Sequence, residues 1–162
     1  MKRLLTMFAV VSAALVLYAA SDAQTPQSDA HHRIVQPDQV QWSSGPDALP
    51  PGAQAAVLEG DPKQAGPFTM RLKMPAGYRI SPHSHPRQER VTVISGAFKM
   101  AMGNRLDESK FTQLPAGGYV TISPNQNHFA GTDVESVIQI NSEGPWQVVY
   151  VNPADDPRTK KK

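Results

Sequence analysis

Phe68-Thr69-Met70-Arg71-Leu72-Lys73-Met74 alternates apolar and polar positions without a break. A period of two puts every apolar side chain on one face of a strand. Phe98-Lys99-Met100-Ala101-Met102 repeats the pattern, and Val91-Thr92-Val93-Ile94 is a short run rich in branched residues, followed by a Ser95-Gly96 turn. Further strand-like runs lie at Gln54–Leu58, Phe111–Leu114, Tyr119–Ile122, Phe129–Thr132, Val134–Ile140 and Gln147–Val151. Gly-Pro-Phe, Pro-Ala-Gly, Gly-Asn and Glu-Gly-Pro turns separate them. Only Leu106–Lys110 offers a helical turn. Short, regularly spaced strands predict an all-β, antiparallel sandwich or barrel, with the sheet edges managed by closure or by pairing two sheets as a jelly roll. Fifteen Pro and eleven Gly agree, because both interrupt helices.

The pattern changes at both ends. Lys2 and Arg3 precede an apolar run from Leu4 to Ala20, and Ser21-Asp22-Ala23 supplies small residues for a cut after Ala23. This predicts a signal peptide over residues 1–23, hence a periplasmic or secreted protein with no membrane attachment after cleavage. A retained anchor is the competing reading of the same run. Residues 24–39 are polar and aperiodic and are expected to form a flexible lead-in, in which His31 and His32 read as exposed. The β domain is expected over 40–151. Residues 152–162 read as a basic, mobile tail.

Charge excludes one class of partner. The whole chain carries a net +2, but residues 24–157 hold 10 basic and 13 acidic side chains, so the excess is a tail effect. A nucleic-acid surface needs its basic residues on the folded body, so no nucleic-acid partner is expected. The chain has no Cys. That excludes a disulfide scaffold, a thiol nucleophile and thiolate metal sites. A nucleophile elbow, a phosphate loop and a dinucleotide fingerprint are also missing from the sequence.

The remaining chemistry gathers in two places. His83 and His85 are two apart, so a strand there points both imidazoles to one face. Pro82 and Pro86 bracket them and favour extended backbone. Glu89 follows at the start of the next strand run, and His128 opens another. Imidazoles with a carboxylate suit a divalent first-row ion. The alternative is ordinary surface chemistry, with Glu89 paired to Arg87 or Arg90.

From Gly77, the spacing to His83, His85, Glu89 and Gly96 resembles the first motif of the cupin superfamily, position for position. The second motif is matched at Gly117 and His128, while Ser123, Asn125 and Thr132 stand where the family carries Pro, Gly and Asn. Asn tolerates the left-handed backbone that a Gly there serves. The stretch from Glu89 to Gly96, with Asn152–Pro157, is similar to small single-domain bacterial cupins of unassigned activity. The resemblance implies a double-stranded jelly-roll barrel in which His83, His85, Glu89 and His128 bind one divalent transition metal, namely Fe, Mn, Ni, Cu or Zn. It also implies a homodimer.

Glu89 is read either as a ligand or as a general base taking a proton from substrate. Met70, Met74, Phe98, Met100 and Met102 are read as core or as an apolar wall of the pocket. Arg87, Gln88, Arg90, Tyr119, Gln126 and Asn127 are read as solvated side chains or as groups at its mouth. The expected function is a metal-dependent enzyme on a small organic molecule, with oxygenation first and isomerase or lyase chemistry second. A non-catalytic module holding a small ligand or metal is the alternative, and a structural dimer with a vestigial site is a third.

Overall fold

The computed structural model describes residues 32–160. The proposed signal peptide, the first half of the lead-in with His31, and the last two lysines of the tail lie outside them. A compact unit begins at Val35. Its strands are β1 (Ser43–Ser44), β2 (Gln54–Glu59), β3 (Gly66–Met74), β4 (Arg79–Ser84), β5 (Glu89–Ser95) and β6 (Ala97–Met102), then β7 (Thr112–Pro115), β8 (Tyr119–Ile122), β9 (His128–Gly131), β10 (Ser136–Gly144) and β11 (Val149–Tyr150). They form two sheets, ordered β1-β2-β3-β10-β5-β8 and β11-β4-β9-β6-β7. Every pairing is antiparallel. The sheets are hydrogen-bonded separately, so the jelly roll is a two-sheet sandwich rather than a continuous barrel. Among the described residues no helix is long and apolar enough to cross a membrane.

Alternation builds the core. Phe68, Met70, Leu72 and Met74 of β3 are buried, while Thr69, Arg71 and Lys73 face outward. In β10, Ile138 pairs with Leu72 and Ile140 with Met70. The outer face of the same ladder is polar: Arg71 Nε donates to Gln139 Oε1 at 3.2 Å, and Asn141 Nδ2 to Thr69 Oγ1 at 2.8 Å. In β5 the inward phase belongs to Glu89, Val91 and Val93. A carboxylate therefore enters the core in step with two valines.

Several boundaries shift. Strand β7 begins at Thr112, because Phe111 caps the 3-10 turn Glu108–Lys110, its N–H donating to Glu108 O at 3.2 Å, while its ring packs 5.3 Å from that of Phe129. Strand β10 begins at Ser136 rather than Val134, whose side chain is exposed. There the Ser136 hydroxyl accepts from Ala97 N–H at 3.0 Å and shares its one hydrogen between the Val134 and Ala97 carbonyls, which fixes the turn. The Gln147–Val151 run contributes only Val149 and Tyr150 to a strand, since β11 pairs with just two residues of β4. The lead-in and the tail each carry short turns among their described residues. Pro37–Gln39 is a 3-10 turn, and residues 152–160 include two more at Pro153–Asp155 and Pro157–Thr159. Arg158 explains the second case: it grips the Asp156 carboxylate and donates to the Val148 carbonyl at 2.9 Å.

Candidate metal centre

The three histidines come together through the β4–β9 ladder and its neighbours. His83 pairs directly with His128 on β9 and with Tyr150 on β11. His85 lies just beyond β4. One ring nitrogen from each of His83, His85 and His128 falls within 4.8 Å of the others. The side chains are 2–3 % exposed.

A backbone carbonyl holds each ring. His83 Nδ1 donates to Ser81 O at 2.8 Å, His85 Nδ1 to Gln147 O at 2.7 Å, and His128 Nδ1 to Gln126 O at 3.0 Å. A carbonyl only accepts, so each Nδ1 carries its hydrogen and each Nε2 of a neutral ring keeps a lone pair. Burial reinforces this state. It lowers the pKa of all three rings, that of His85 to about 4. Three lone pairs thus converge, oriented in the way that protein metal sites orient imidazole.

Glu89 reaches the same cavity from the other sheet. Its Oε2 lies 3.5 Å from His85 Nε2 and 3.9 Å from His128 Nε2. The 4.8 Å cluster closes over the imidazoles alone, and the carboxylate stands beside it. Burial raises its pKa to about 7, with His128 partly opposing the rise. Neither Arg87 nor Arg90 pairs with it: both are exposed, and Arg90 binds the Gln88 side chain.

The turn chemistry of the second motif is also explained. Asn125 has φ 60°, the left-handed region read for it, and its N–H donates to His85 O at 2.7 Å. Thr132, at the final position, is fully buried and donates its hydroxyl to Pro75 O at 3.0 Å.

His83, His85, Glu89 and His128 line a cavity of about 20 Å³, enough for one water-sized group. The other walls are apolar, from Leu72, Ile80, Phe98, Ile138 and Ile140 among others. Of the five residues read as core or as an apolar wall, only Phe98 lines it. Met70, Met74 and Met100 lie in the core, and Met102 is 45 % exposed. Of the mouth candidates, Arg87, Gln88, Arg90, Tyr119, Gln126 and Asn127, none lines the cavity.

Two lining residues had no signal in the sequence pattern. Trp146 stacks its ring on His85, 5.0 Å between centroids and 18° between planes. Leu49 enters from the loop between β1 and β2, where Tyr150 Oη donates to Ala48 O at 2.8 Å and Tyr78 Oη donates to Pro50 O. A Trp after Gly-Pro and a Leu before Pro-Pro look like ordinary turn residues until the fold brings them over the site.

The ChrR cupin-like domain family matches residues 30–147. The chain belongs to this family of cupins. No curated protein matches it. Among solved structures, this cupin is similar to a candidate acetylacetone dioxygenase from Methylibium petroleiphilum, with 26 % identity and a TM-score of 0.60 over 82 % of this chain and 90 % of that one. It shares its fold with the polyketide cyclase RemF from Streptomyces resistomycificus, at 13 % identity and TM-score 0.61 over 78 % and 89 % of the two chains. A double-stranded β-helix protein from Klebsiella pneumoniae shares it too, at 20 % identity and TM-score 0.56 over 79 % and 99 %. The donor set fits a divalent first-row ion, because imidazole suits several of them and a buried carboxylate adds charge.

Proposed function

We propose that His83, His85 and His128, joined by Glu89 as ligand or base, hold one divalent transition metal, and that this cupin is a metal-dependent enzyme acting on a small organic molecule. The convergence of three imidazole lone pairs, each fixed by a backbone carbonyl, carries the reading. When bound, such an ion supplies a Lewis acid and, for all but zinc, a redox centre. The chain's own groups do the rest. Leu72, Ile80, Phe98 and Ile138 line the site with apolar surface and exclude bulk water from it. Glu89, poised near neutrality, accepts a proton at its carboxylate. Oxygenation is the leading chemistry, supported by the likeness to the dioxygenase candidate, and isomerase or lyase chemistry follows.

The test is elemental analysis of protein purified from its native compartment without chelator or affinity tag, beside His83→Ala/His85→Ala. Near-stoichiometric Fe, Mn, Ni or Cu, lost in the variant, supports the site and leads to oxygen-uptake screens with that metal. Metal-free protein in both preparations overturns it. The smallness of the cavity favours a second reading, a module that holds a metal or small ligand without turnover. Full metal occupancy with no uptake or conversion across the screen would favour that module.

The setting is proposed on the sequence alone: cleavage after Ala23, export to the periplasm or beyond, and a homodimer. An intact mass beginning at Gln24 and a light-scattering mass of two chains are the expected results.

A further inference from the structure

We propose that the loop between Gly45 and Ala53 is the door of this cavity, latched by the hydroxyls of Tyr78 and Tyr150, and that Leu49 on it bars every molecule larger than water while the door is shut. The proposal deepens the metal-centred reading above and rests on it for what the door guards.

A cavity of about 20 Å³ has room for one water-sized group, so an organic molecule stands beside the imidazoles only if a wall moves. Few walls are free to do so. Apart from His85, Trp146 and Leu49, every lining residue lies on a paired strand. Displacing one of those breaks a ladder of backbone hydrogen bonds. His85 and Trp146 are tied to the site itself. The Trp146 ring stacks on His85, and the carbonyl of the next residue, Gln147, accepts from His85 Nδ1. Withdrawing that segment would release an imidazole. Leu49 stands on the one lining segment that can leave without disturbing either a ladder or an imidazole.

The loop is built to move as one piece. Gly45 N–H donates to Ala53 O at 2.9 Å and closes its base. Pro46, Pro50 and Pro51 fix φ at three of the seven residues between. Gly52, at φ 107°, supplies a hinge position that other residues adopt only with strain. Among the described residues, two hydrogen bonds tie residues 46–52 to the rest of the fold. Tyr150 Oη donates to Ala48 O at 2.8 Å, and Tyr78 Oη donates to Pro50 O. They flank Leu49 on both sides. The tyrosines themselves stay put when these bonds part, because both rings belong to the core and that of Tyr150 lies 5.9 Å from His83. Opening thus costs two neutral hydrogen bonds and the burial of one leucine, far less than opening a strand.

The chain has no Cys, so an introduced thiol reports on its own position alone. The experiment follows alkylation by iodoacetamide, read by intact mass, in the mature metal-free chain carrying Leu49→Cys or Val91→Cys, each alone and with Tyr150→Phe or Tyr78→Phe. Both positions are buried and line the cavity, but Val91 lies on the inner strand β5. Leu49→Cys should react at least about tenfold faster than Val91→Cys, as local opening outpaces global opening. Each Tyr→Phe should raise the Leu49→Cys rate alone, by about fivefold, as expected for one neutral hydrogen bond. Equal rates at the two positions mean that the fold opens as a whole, and overturn the door. An unchanged Leu49→Cys rate in both tyrosine variants, or an equal rise at Val91→Cys, overturns the latch. A second measurement needs no introduced thiol. Stopped-flow absorbance of the Co(II)-loaded chain, with azide as probe, should show faster uptake in Tyr150→Phe and in Leu49→Ala than in wild type. Equal azide rates in all three overturn the loop as the route to the metal. Wild type that takes up no Co(II) fails the metal reading alone, because the alkylation rates decide the door without a metal.

Discussion

His83 and His128 sit directly opposite each other in the β4–β9 ladder, with ring centroids 4.3 Å apart, although 45 positions separate them in the chain. Facing residues of an antiparallel pair project to the same side. The ladder therefore sets the spacing of two imidazoles, and His85 closes the triangle at 5.0 and 5.2 Å from them. Loss of one corner removes a lone pair that no neighbour replaces. His128→Ala is expected to lower metal content at least tenfold, whereas exposed His32→Ala should retain it. Elemental mass spectrometry of both, purified in parallel, checks this.

Glu89 makes the metal-free protein sensitive to pH in a defined direction. Its folded pKa is raised from 4.5 to about 7, so the folded state holds a proton that the unfolded state has released between those values. The resulting penalty is absent below pH 4.5, grows up to pH 7 and is complete above it. At 1.36 kcal/mol per unit it reaches about 3 kcal/mol. Metal-free Glu89→Gln should therefore unfold at higher urea than wild type at pH 8, and the difference should fade by pH 4.5. The histidines act oppositely: lowered pKa values mean the unfolded state binds more protons below 6.5, so acid destabilises the metal-free fold, through His85 down to about pH 4 and through buried His83 and His128 in the same direction. Equal urea midpoints for both proteins at pH 8 would contradict the buried carboxylate.

Gly96 and Gly77 share φ 75° but differ in space. A Cβ on Gly96 would stand 2.4 Å from Glu135 O and from Ser136 Oγ, whereas one on Gly77 meets nothing within 4 Å. Gly77→Ala should cost about 1 kcal/mol of backbone strain. Gly96→Ala adds a steric clash at the β5–β6 turn and should cost at least about 3 kcal/mol. Denaturant midpoints of the two variants give the order directly.

Leu49 closes the cavity from a loop held by two tyrosine hydroxyls, one on each side of it. Leu49→Ala should destabilise the fold by about 2–3 kcal/mol, the low end for a buried leucine because a loop can settle into the space. It should also speed removal of the metal by a chelator severalfold. Unchanged release kinetics, followed after rapid mixing with EDTA, would place the entry route elsewhere.

Much of this architecture is legible along the chain. Residues 68–74 announce their strand because one face is buried and the other hydrated, and β8 runs over Tyr119–Ile122 as the pattern reads. Asn125 is readable as a left-handed position because its short amide tolerates one. Strand ends were less legible. Val134 is apolar yet exposed, since the Ser136 hydroxyl rather than hydrophobicity sets where β10 begins.

Local periodicity determined the all-β class and many of the turns, and the resemblance of the His83-to-Gly96 spacing to the cupin motif singled out the four residues worth watching. Those properties depend on neighbours a few positions apart, where side-chain alternation and backbone sterics act. Tertiary structure alone decided that Glu89 crosses from one sheet to face imidazoles of the other. It also decided that Trp146 and Leu49 wall the cavity, that Ser81, Gln126 and Gln147 carbonyls fix the tautomers, and that Arg87, Tyr119 and Gln126 stay outside. These are consequences of which strands pair and how two sheets stack, and contacts between residues far apart in the chain leave no local period to read.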